Sequence, residues 1–404
     1  MLKLFTKALL NSQSNLITRN LSVNSKNLIC RDFIISKCFV VNIRQNSSRT
    51  LKYLTERTMV GESEPKKSKT EVVIGTHDGV FHCDEILACF MLQQLPEYEN
   101  AKILRTRDLT KLNECDIVVD VGSVFDVEKK RFDHHQREFK ETMSSLKPEM
   151  GSEFDIRLSS AGLIYCYYGE TVIKTLVNKF TGTEPDMKCL KTVYKKLYES
   201  FIREIDAIDN GVPMFDGEPR WTISTNLSSR VSHFNQTWNS KENFDAQAQF
   251  EKAKELVGGE FVDKIRYYTE VWWAARALVQ TALKNRFNIH KSGEILELTE
   301  FCPWKQHLAE LEKELELEGI AKYVLYKNSE NDWRAICVPK TPDSFVCRKF
   351  LHKDWRGIRD SELEKISGIK DINFCHATGF IGGAKTREAA LEMAVKSLEG
   401  NYQD

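Results

Sequence analysis

The chain of 404 residues carries no charge excess, since 58 Lys and Arg are matched by 58 Asp and Glu. That balance names no partner, and a nucleic-acid surface would have to be a local patch. No run of 18 apolar residues occurs, so no membrane-spanning helix and no membrane partner is expected. The eleven cysteines come singly, without a CxxC pair. This argues against a zinc ribbon or a disulfide framework and for buried thiols in a reducing compartment. Signatures of the common RNA-binding modules are also missing.

What is present is ordinary for a soluble globular protein, with 41% hydrophobic and 29% charged residues, and the length suits two domains and a further element. Acids are scarce only at the start: residues 1–59 hold ten Lys and Arg but only Asp32 and Glu56. Leu2, Leu4, Phe5, Leu9 and Leu10 recur near helical spacing there. Such a basic, Ser-rich, amphipathic segment reads as a mitochondrial transit peptide, which places the mature protein in the matrix. A form starting at Met59 would lack it. Residues 60–70 read as a linker, and Pro65-Lys66-Lys67-Ser68-Lys69 within it as a weak nuclear signal or a solvated stretch.

From Glu71 onward, strands alternate with helices. Strands are expected at Glu71–Thr76, Ile103–Thr106, Asp116–Gly122 and Arg131–Asp133, and a helix at Glu85–Leu95 that Pro96 stops. The Asp116–Gly122 run is almost wholly apolar, as a central parallel strand covered on both faces requires. Residues 159–209 are helical in pattern. Residues 71–243 thus form one α/β domain with a mainly parallel sheet flanked by helices. Residues 244–289 form a helical connector, in which Tyr267, Tyr268, Trp272 and Trp273 suit helix packing. Residues 290–404 form a smaller α/β domain with strands at Ile295–Leu298, Tyr323–Tyr326 and Trp333–Val338 and a final helix at Thr386–Leu398.

His77, His82, Asp84, Asp120, Asp133, His134 and His135 gather between residues 77 and 135, and they include four of the nine histidines. Neutral imidazoles and carboxylates are ligands for divalent metals. His77, Asp120 and Asp133 fall at the carboxyl ends of strands, where α/β sheets bind their ligands. A pair of divalent ions about 3.5–4 Å apart needs several carboxylates and one that bridges. Asp120, ending the most buried strand, is the bridge of choice. Asp133 either binds metal or holds an imidazole from behind. The imidazoles shift preference from magnesium towards manganese, so the cofactor is expected to be a divalent metal, manganese at least as well as magnesium.

These residues resemble the DHH phosphoesterase superfamily, named for the Asp-His-His found here at 133–135. The likeness is closer to its melanocyte proliferating gene family of 3′–5′ RNA exonucleases. It runs through Thr76-His77-Asp78-Gly79-Val80-Phe81-His82-Cys83-Asp84-Glu85, Asp116–Gly122, Phe132–Gln136, Glu204–Gly211, Thr225–Val231 and His376–Gly383. It covers about 71–400. The resemblance implies metal-dependent phosphodiester hydrolysis of single-stranded RNA. It suggests His77, His82, Asp84, Asp120, His134 and Asp209 as ligands, with Asp120, Asp133, His134 and His135 as the catalytic group. The wider superfamily often places an Asp four residues after the first His; here His82 stands five after His77. That leaves Asp78 as a rival to His77, and the number of metals open. The Glu204–Gly211 motif offers both Asp206 and Asp209, of which Asp209, before Asn-Gly, is preferred.

DHH proteins commonly close a small C-terminal domain over the metals with a Gly-rich segment. Gly379–Lys385 is the matching stretch, with a helix N-terminus after it. Asn226, Arg230, His376, Gly382, Gly383, Lys385 and Arg387 are thereby suggested as substrate-binding residues, with Arg348 and Arg356 as further basic positions. Two other readings remain: a small-phosphate hydrolase on the same site, and a catalytically weak RNA-binding factor. Against the latter, a binding module has no need of so many converging Asp and His side chains.

Overall fold

The computed structural model describes residues 71–240 and 244–400. The expected transit peptide and linker lie outside the described residues.

The N-terminal half begins with β1 (Val73–Thr76), α1 (Cys83–Gln93), β2 (Lys102–Arg105), α2 (Leu109–Asn113), β3 (Ile117–Val119), β4 (Phe125–Asp126) and β5 (Arg131–Phe132). Helices α3 (Met143–Leu146), α4 (Ser160–Thr181), α5 (Met187–Leu197), α6 (Arg203–Asp209) and α7 (Leu227–Ser232) follow. The sheet order is β2-β1-β3-β5-β4, and only the β4–β5 pair is antiparallel. Ile117, Val118 and Val119 are all buried, as a central strand requires. Strand β3 is shorter than the apolar run because Asp120 turns into the left-handed region, with φ 60°.

Helix α1 is apolar nearly all round. Ile86, Leu87, Ala88, Cys89, Met91 and Leu92 are inaccessible to solvent, because α4 and α8 (Ala246–Arg266) cover what the sheet does not. Gly258 of α8 faces the Phe90 ring at a separation that a Cβ would close.

The segment expected as a connector is divided between two cores. Phe250, Ala253, Val257, Phe261 and Ile265 of α8 belong to the N-terminal core. After a wider π turn at Tyr267–Trp273, α9 (Ala274–Lys284) puts Ala275, Val279, Ala282 and Leu283 into a core shared with the second sheet. Trp272 is buried and Tyr267 half exposed.

The C-terminal half comprises α10 (Arg286–Ile289), β6 (Ile295–Glu297), α11 (Lys305–Glu314), β7 (Tyr323–Lys327), β8 (Trp333–Cys337), α12 (Asp360–Ser367), β9 (Ile372–Cys375), β10 (Ile381–Ala384) and α13 (Arg387–Glu399). Its order is β6-β7-β8-β10-β9, antiparallel apart from the β6–β7 pair. The molecule is thus α/β, with mixed sheets flanked by helices in two parts. The nine described cysteines are all buried.

Candidate metal centre

Parallel strands set residues of equal register side by side. Gly75 pairs with Val118 and Val119 with Phe132, so the next residues on β1, β3 and β5 lie level. Those residues are His77, Asp120 and Asp133. The N-terminus of α1 adds His82, Asp84 and Glu85, and the C-terminus of α6 adds Asp209.

Asp120 sits at the middle. Its Oδ2 lies 3.3 Å from His77 Nε2, and its Oδ1 lies 3.3 Å from His134 Nε2 and 3.6 Å from His135 Nδ1. Ser160 Oγ donates to Oδ1 at 3.0 Å, and the backbone N–H of Asp120 bonds to Phe132 O at 3.1 Å. His134 Nε2 is also 3.2 Å from Asp209 Oδ2, and His77 Nε2 is 3.2 Å from Glu85 Oε1.

The ligand atoms form three overlapping groups, each within 4.8 Å: His77, His82, Glu85 and Asp120; Asp120, His134 and His135; and His82, Asp84 and Asp209. Asp120 and His82 are each shared by two groups. All six residues that the resemblance suggested as ligands are therefore brought together.

Position separates several of the open alternatives. Asp78 is exposed and 3.6 Å from Arg107, whereas His77 faces the cluster. Asp206 is wholly buried away from it. Its Oδ1 accepts from Ser159 N and Oγ at 2.9 and 2.7 Å, at the start of α4, and its Oδ2 accepts from Tyr198 Oη at 3.2 Å. Gly162 makes room for that carboxylate. Asp133 stands behind His135: its Oδ1 accepts from His135 N at 3.0 Å and lies 2.7 Å from Nδ1, while Ser123 N donates to Oδ2 at 2.6 Å.

Glu85 was not among the expected site residues. Its side chain accepts from His82 N at 2.8 Å and is inaccessible to solvent. A Glu three residues after a helix cap is the signature of a capping box, which is how the spacing could have flagged it.

The electrostatics favour a bound cation. Both carboxylate oxygens of Asp84 and both ring nitrogens of His134 are buried without a well-formed hydrogen bond. Native proteins rarely leave such atoms unpaired, and an absent ion is one standard reason. Burial, together with the like charges of Asp120, Asp209 and Glu85, pushes the Asp84 carboxyl well above the usual range. Burial also raises Asp209 against the pull of His134. For Asp120, burial is outweighed by His134 and His77, which hold its carboxyl below the usual range. Burial likewise opposes charge on His77, but bonds from Asp120 and Glu85 hold it up to about 10. This donor set fits divalent metal: mixed carboxylate and imidazole, buried at His77, Asp84, Glu85, Asp120 and His134 and open to solvent at His82 and His135, with orphaned atoms turned inward.

Two clefts open onto the cluster. One of about 330 Å³ exposes His82, Asp84, His134, His135 and Asp209, with Arg157 beside them. The other, of about 240 Å³, exposes His77, Asp120, Asp133 and His135, with Arg107 beside them. No residue beyond Ser232 lines either cleft among the described residues.

The suggested substrate residues are placed elsewhere. Asn226 caps α7 by accepting from Ser229 N at 2.8 Å, and Arg230 bonds to Glu260 at 2.8 Å. Ser228 and Ser232 of the same helix line the larger cleft. His376 is exposed, with Nδ1 2.9 Å from Thr378 Oγ1. Gly382 and Gly383 lie in a strand rather than an open Gly-rich turn: β10 is paired with β8 and β9 on its two sides. Added Cβ atoms there would strike Met393 and Phe374. These glycines serve close packing, and their backbone is not open to a phosphate. Arg387 is held by Glu297 at 2.6 Å and Arg348 by Glu312 at 2.7 Å, while Arg356 donates to Leu351 O at 3.1 Å. Lys385 is exposed.

An α/β sheet carrying a carboxylate–imidazole cluster at its strand ends defines a protein with a site that could hold a divalent metal. The family model MYG1_exonuc, described as "Uncharacterised protein family (UPF0160)", matches residues 73–398. The chain is 48% identical to the rat protein named MYG1 exonuclease over 83% of its length and 87% of that protein, and 47% identical to the human MYG1 exonuclease over 85% and 92%. It is 45% identical to a Dictyostelium discoideum protein named MYG1 protein, over 81% and 97%. The chain belongs to the MYG1 family.

Proposed function

We propose that this protein is a divalent-metal-dependent exonuclease that removes nucleotides from the 3′ end of single-stranded RNA, acting in mitochondria and, as a form starting at Met59, in the nucleus. The carrying observation is Asp120, whose two oxygens face separate histidine groups within a cluster that leaves Asp84 and His134 without a well-formed hydrogen bond. The relatives' name, exonuclease, supplies the reaction class.

His77, His82, Asp84, Asp120, His134 and Asp209 would hold the cations, with Glu85 and His135 at the edges. Bound divalent cations supply Lewis acidity and an activated water for phosphodiester hydrolysis. The protein's part is positioning. Asp120 is fixed by Ser160 and by its own left-handed turn. Asp133 fixes the tautomer and orientation of His135, and its bond raises the imidazole's basicity.

The test is cleavage of end-labelled single-stranded RNA, single-stranded DNA and pyrophosphate, each with manganese, with magnesium and after chelation. Stepwise release of mononucleotides from the RNA 3′ end, with manganese at least as effective as magnesium, is expected. RNA cleavage that survives thorough chelation overturns the reading. Turnover of pyrophosphate alone would identify a small-phosphate hydrolase instead.

A further inference from the structure

The larger cleft is lined by the carboxyls of Asp84 and Asp209, yet its substrate would be an anion. Arg157 is its only Lys or Arg among the described residues. The way that side chain is held sets it apart. Arg157 Nε donates to Asn210 Oδ1 at 2.5 Å, and Asn210 Nδ2 donates back to Arg157 O at 2.9 Å and to Asp206 O at 2.8 Å. Both ends of the arginine are therefore fixed by one amide. Its two terminal nitrogens have no protein partner among the described residues. Arg107, beside the other cleft, differs: its Nη1 donates to Asp78 O at 3.2 Å and lies 3.6 Å from the Asp78 carboxylate.

Asn210 directly follows Asp209 at the end of α6. One helix terminus thus sets both a candidate metal ligand and the orientation of the arginine. A guanidinium fork held by its Nε edge presents the paired donors that match a phosphate. The cleft volume is at the lower end for small-ligand sites, and Phe81, Ile205 and Ile208 give it an apolar wall against which a sugar or base could pack.

We infer that Arg157 grips the phosphate of a single nucleotide at the metal centre, and that Asn210 is the positioning residue that aims it. This rests on the phosphodiesterase reading above.

The experiment uses the full-length chain with manganese. Steady-state RNA cleavage, adenosine monophosphate binding by calorimetry and manganese binding are measured for Arg157→Ala, Arg157→Lys, Asn210→Ala and the Arg157→Ala/Asn210→Ala pair, with Asp120→Ala as a control. A charge-assisted contact predicts a loss of about 100-fold in kcat/KM and about tenfold weaker nucleotide binding for Arg157→Ala. Manganese binding should be unchanged, and added guanidinium ion should restore part of the activity. Arg157→Lys should recover only a small part, because an ammonium lacks the fork. Asn210→Ala should lose about tenfold alone and nothing further once Arg157 is gone. Wild-type kcat/KM and nucleotide binding in both Arg157 variants would overturn the inference. So would an activity loss that tracks lost manganese and resists guanidinium. Should Arg157→Ala fail to fold, Arg157→Lys and Arg157→Gln carry the same comparison. Full activity in Asp120→Ala would instead bring down the metal-centre reading itself.

Discussion

Asp84→Asn should make the metal-free protein more stable and the metal-loaded protein less responsive. Asp84 stands in the first turn of α1 with both oxygens buried and unpaired. A carboxylate oxygen of Asp209 lies within 4.8 Å. At that separation two ionised carboxylates repel by about 3 kcal/mol at an effective dielectric of about 20. The variant forfeits up to about 1 kcal/mol of attraction to the α1 N-terminus. The net expectation is a gain of about 2 kcal/mol in chelator, or a rise of a few degrees in Tm. The sign follows the titration. Because burial and neighbouring charges raise the folded-state carboxyl, the acid form is the one the fold favours. The penalty is therefore absent at acid pH and grows as pH rises through that raised value, so the comparison is made across a pH series.

Manganese reverses the ranking. A ligand at about a hundred times its Kd stabilises by about 2.7 kcal/mol, and a variant lacking a ligand should gain much less. Melting curves of both proteins in chelator and across a manganese series should thus cross. Two results would refute the reasoning: a variant less stable than wild type in chelator, despite a native circular dichroism spectrum, or an equal manganese-induced shift in both.

Asp120→Ala or His134→Ala should abolish hydrolysis while leaving the circular dichroism spectrum native, since both side chains face the cluster rather than the apolar core; normal turnover in folded Asp120→Ala would remove the shared-carboxylate account. Asp206 gives a pH prediction, because burial lifts its carboxyl to about 7 against bonds from Ser159 and Tyr198. Its contribution is full below about pH 4 and falls as pH rises towards 7, by at most about 1.4 kcal/mol per pH unit. Urea unfolding in chelator should accordingly show Asp206→Asn gaining on wild type across that window, and a pH-independent difference would contradict it. Deleting residues 1–59 should abolish mitochondrial import without changing activity in vitro; imaging of a fluorescent fusion starting at Met59 checks this, and continued mitochondrial signal would place targeting elsewhere.

The ends of the strands were legible because apolar runs and candidate metal ligands coincide there. His77, Asp120 and Asp133 each directly follow a stretch whose burial the sequence pattern dictates. Choices within a helix were harder. Asp206 and Asp209 are one turn apart, and only packing against the start of α4 shows that Asp206 anchors structure while Asp209 faces the cluster. Glu85 was hidden because a buried acid at the third helical position reads as a cap. The partnership of Arg157 with Asn210 spans 53 residues, and no local pattern carries it. Gly382 and Gly383 look like turn residues in sequence, yet their lack of side chains serves Met393 and Phe374 across a sheet. The connector read correctly as helix, but amphipathic spacing does not say which core a helix joins, and here α8 and α9 join different ones.

The role proposed for Asp120 follows from sheet topology more than from its own chemistry. In the order β2-β1-β3-β5, β3 lies between β1 and β5. Neighbouring strands are about 4.8 Å apart, so a residue leaving β3 has one neighbour from each side within reach of a single carboxylate. Asp120 meets His77 on the β1 side and His134 and His135 on the β5 side. A residue leaving β1 or β5 could not do this, because β1's other neighbour, β2, continues into Thr106 and Arg107, and β5's other neighbour is the antiparallel β4. The left-handed backbone at Asp120 stops the strand at that point, so the side chain turns across the strand ends. Asp is among the few non-glycine types that adopt this conformation readily. The same position therefore demands a short acidic side chain for two independent reasons, one from the backbone and one from the cluster. Asn would satisfy the first alone, which makes Asp120→Asn the variant expected to keep the fold and lose the metal.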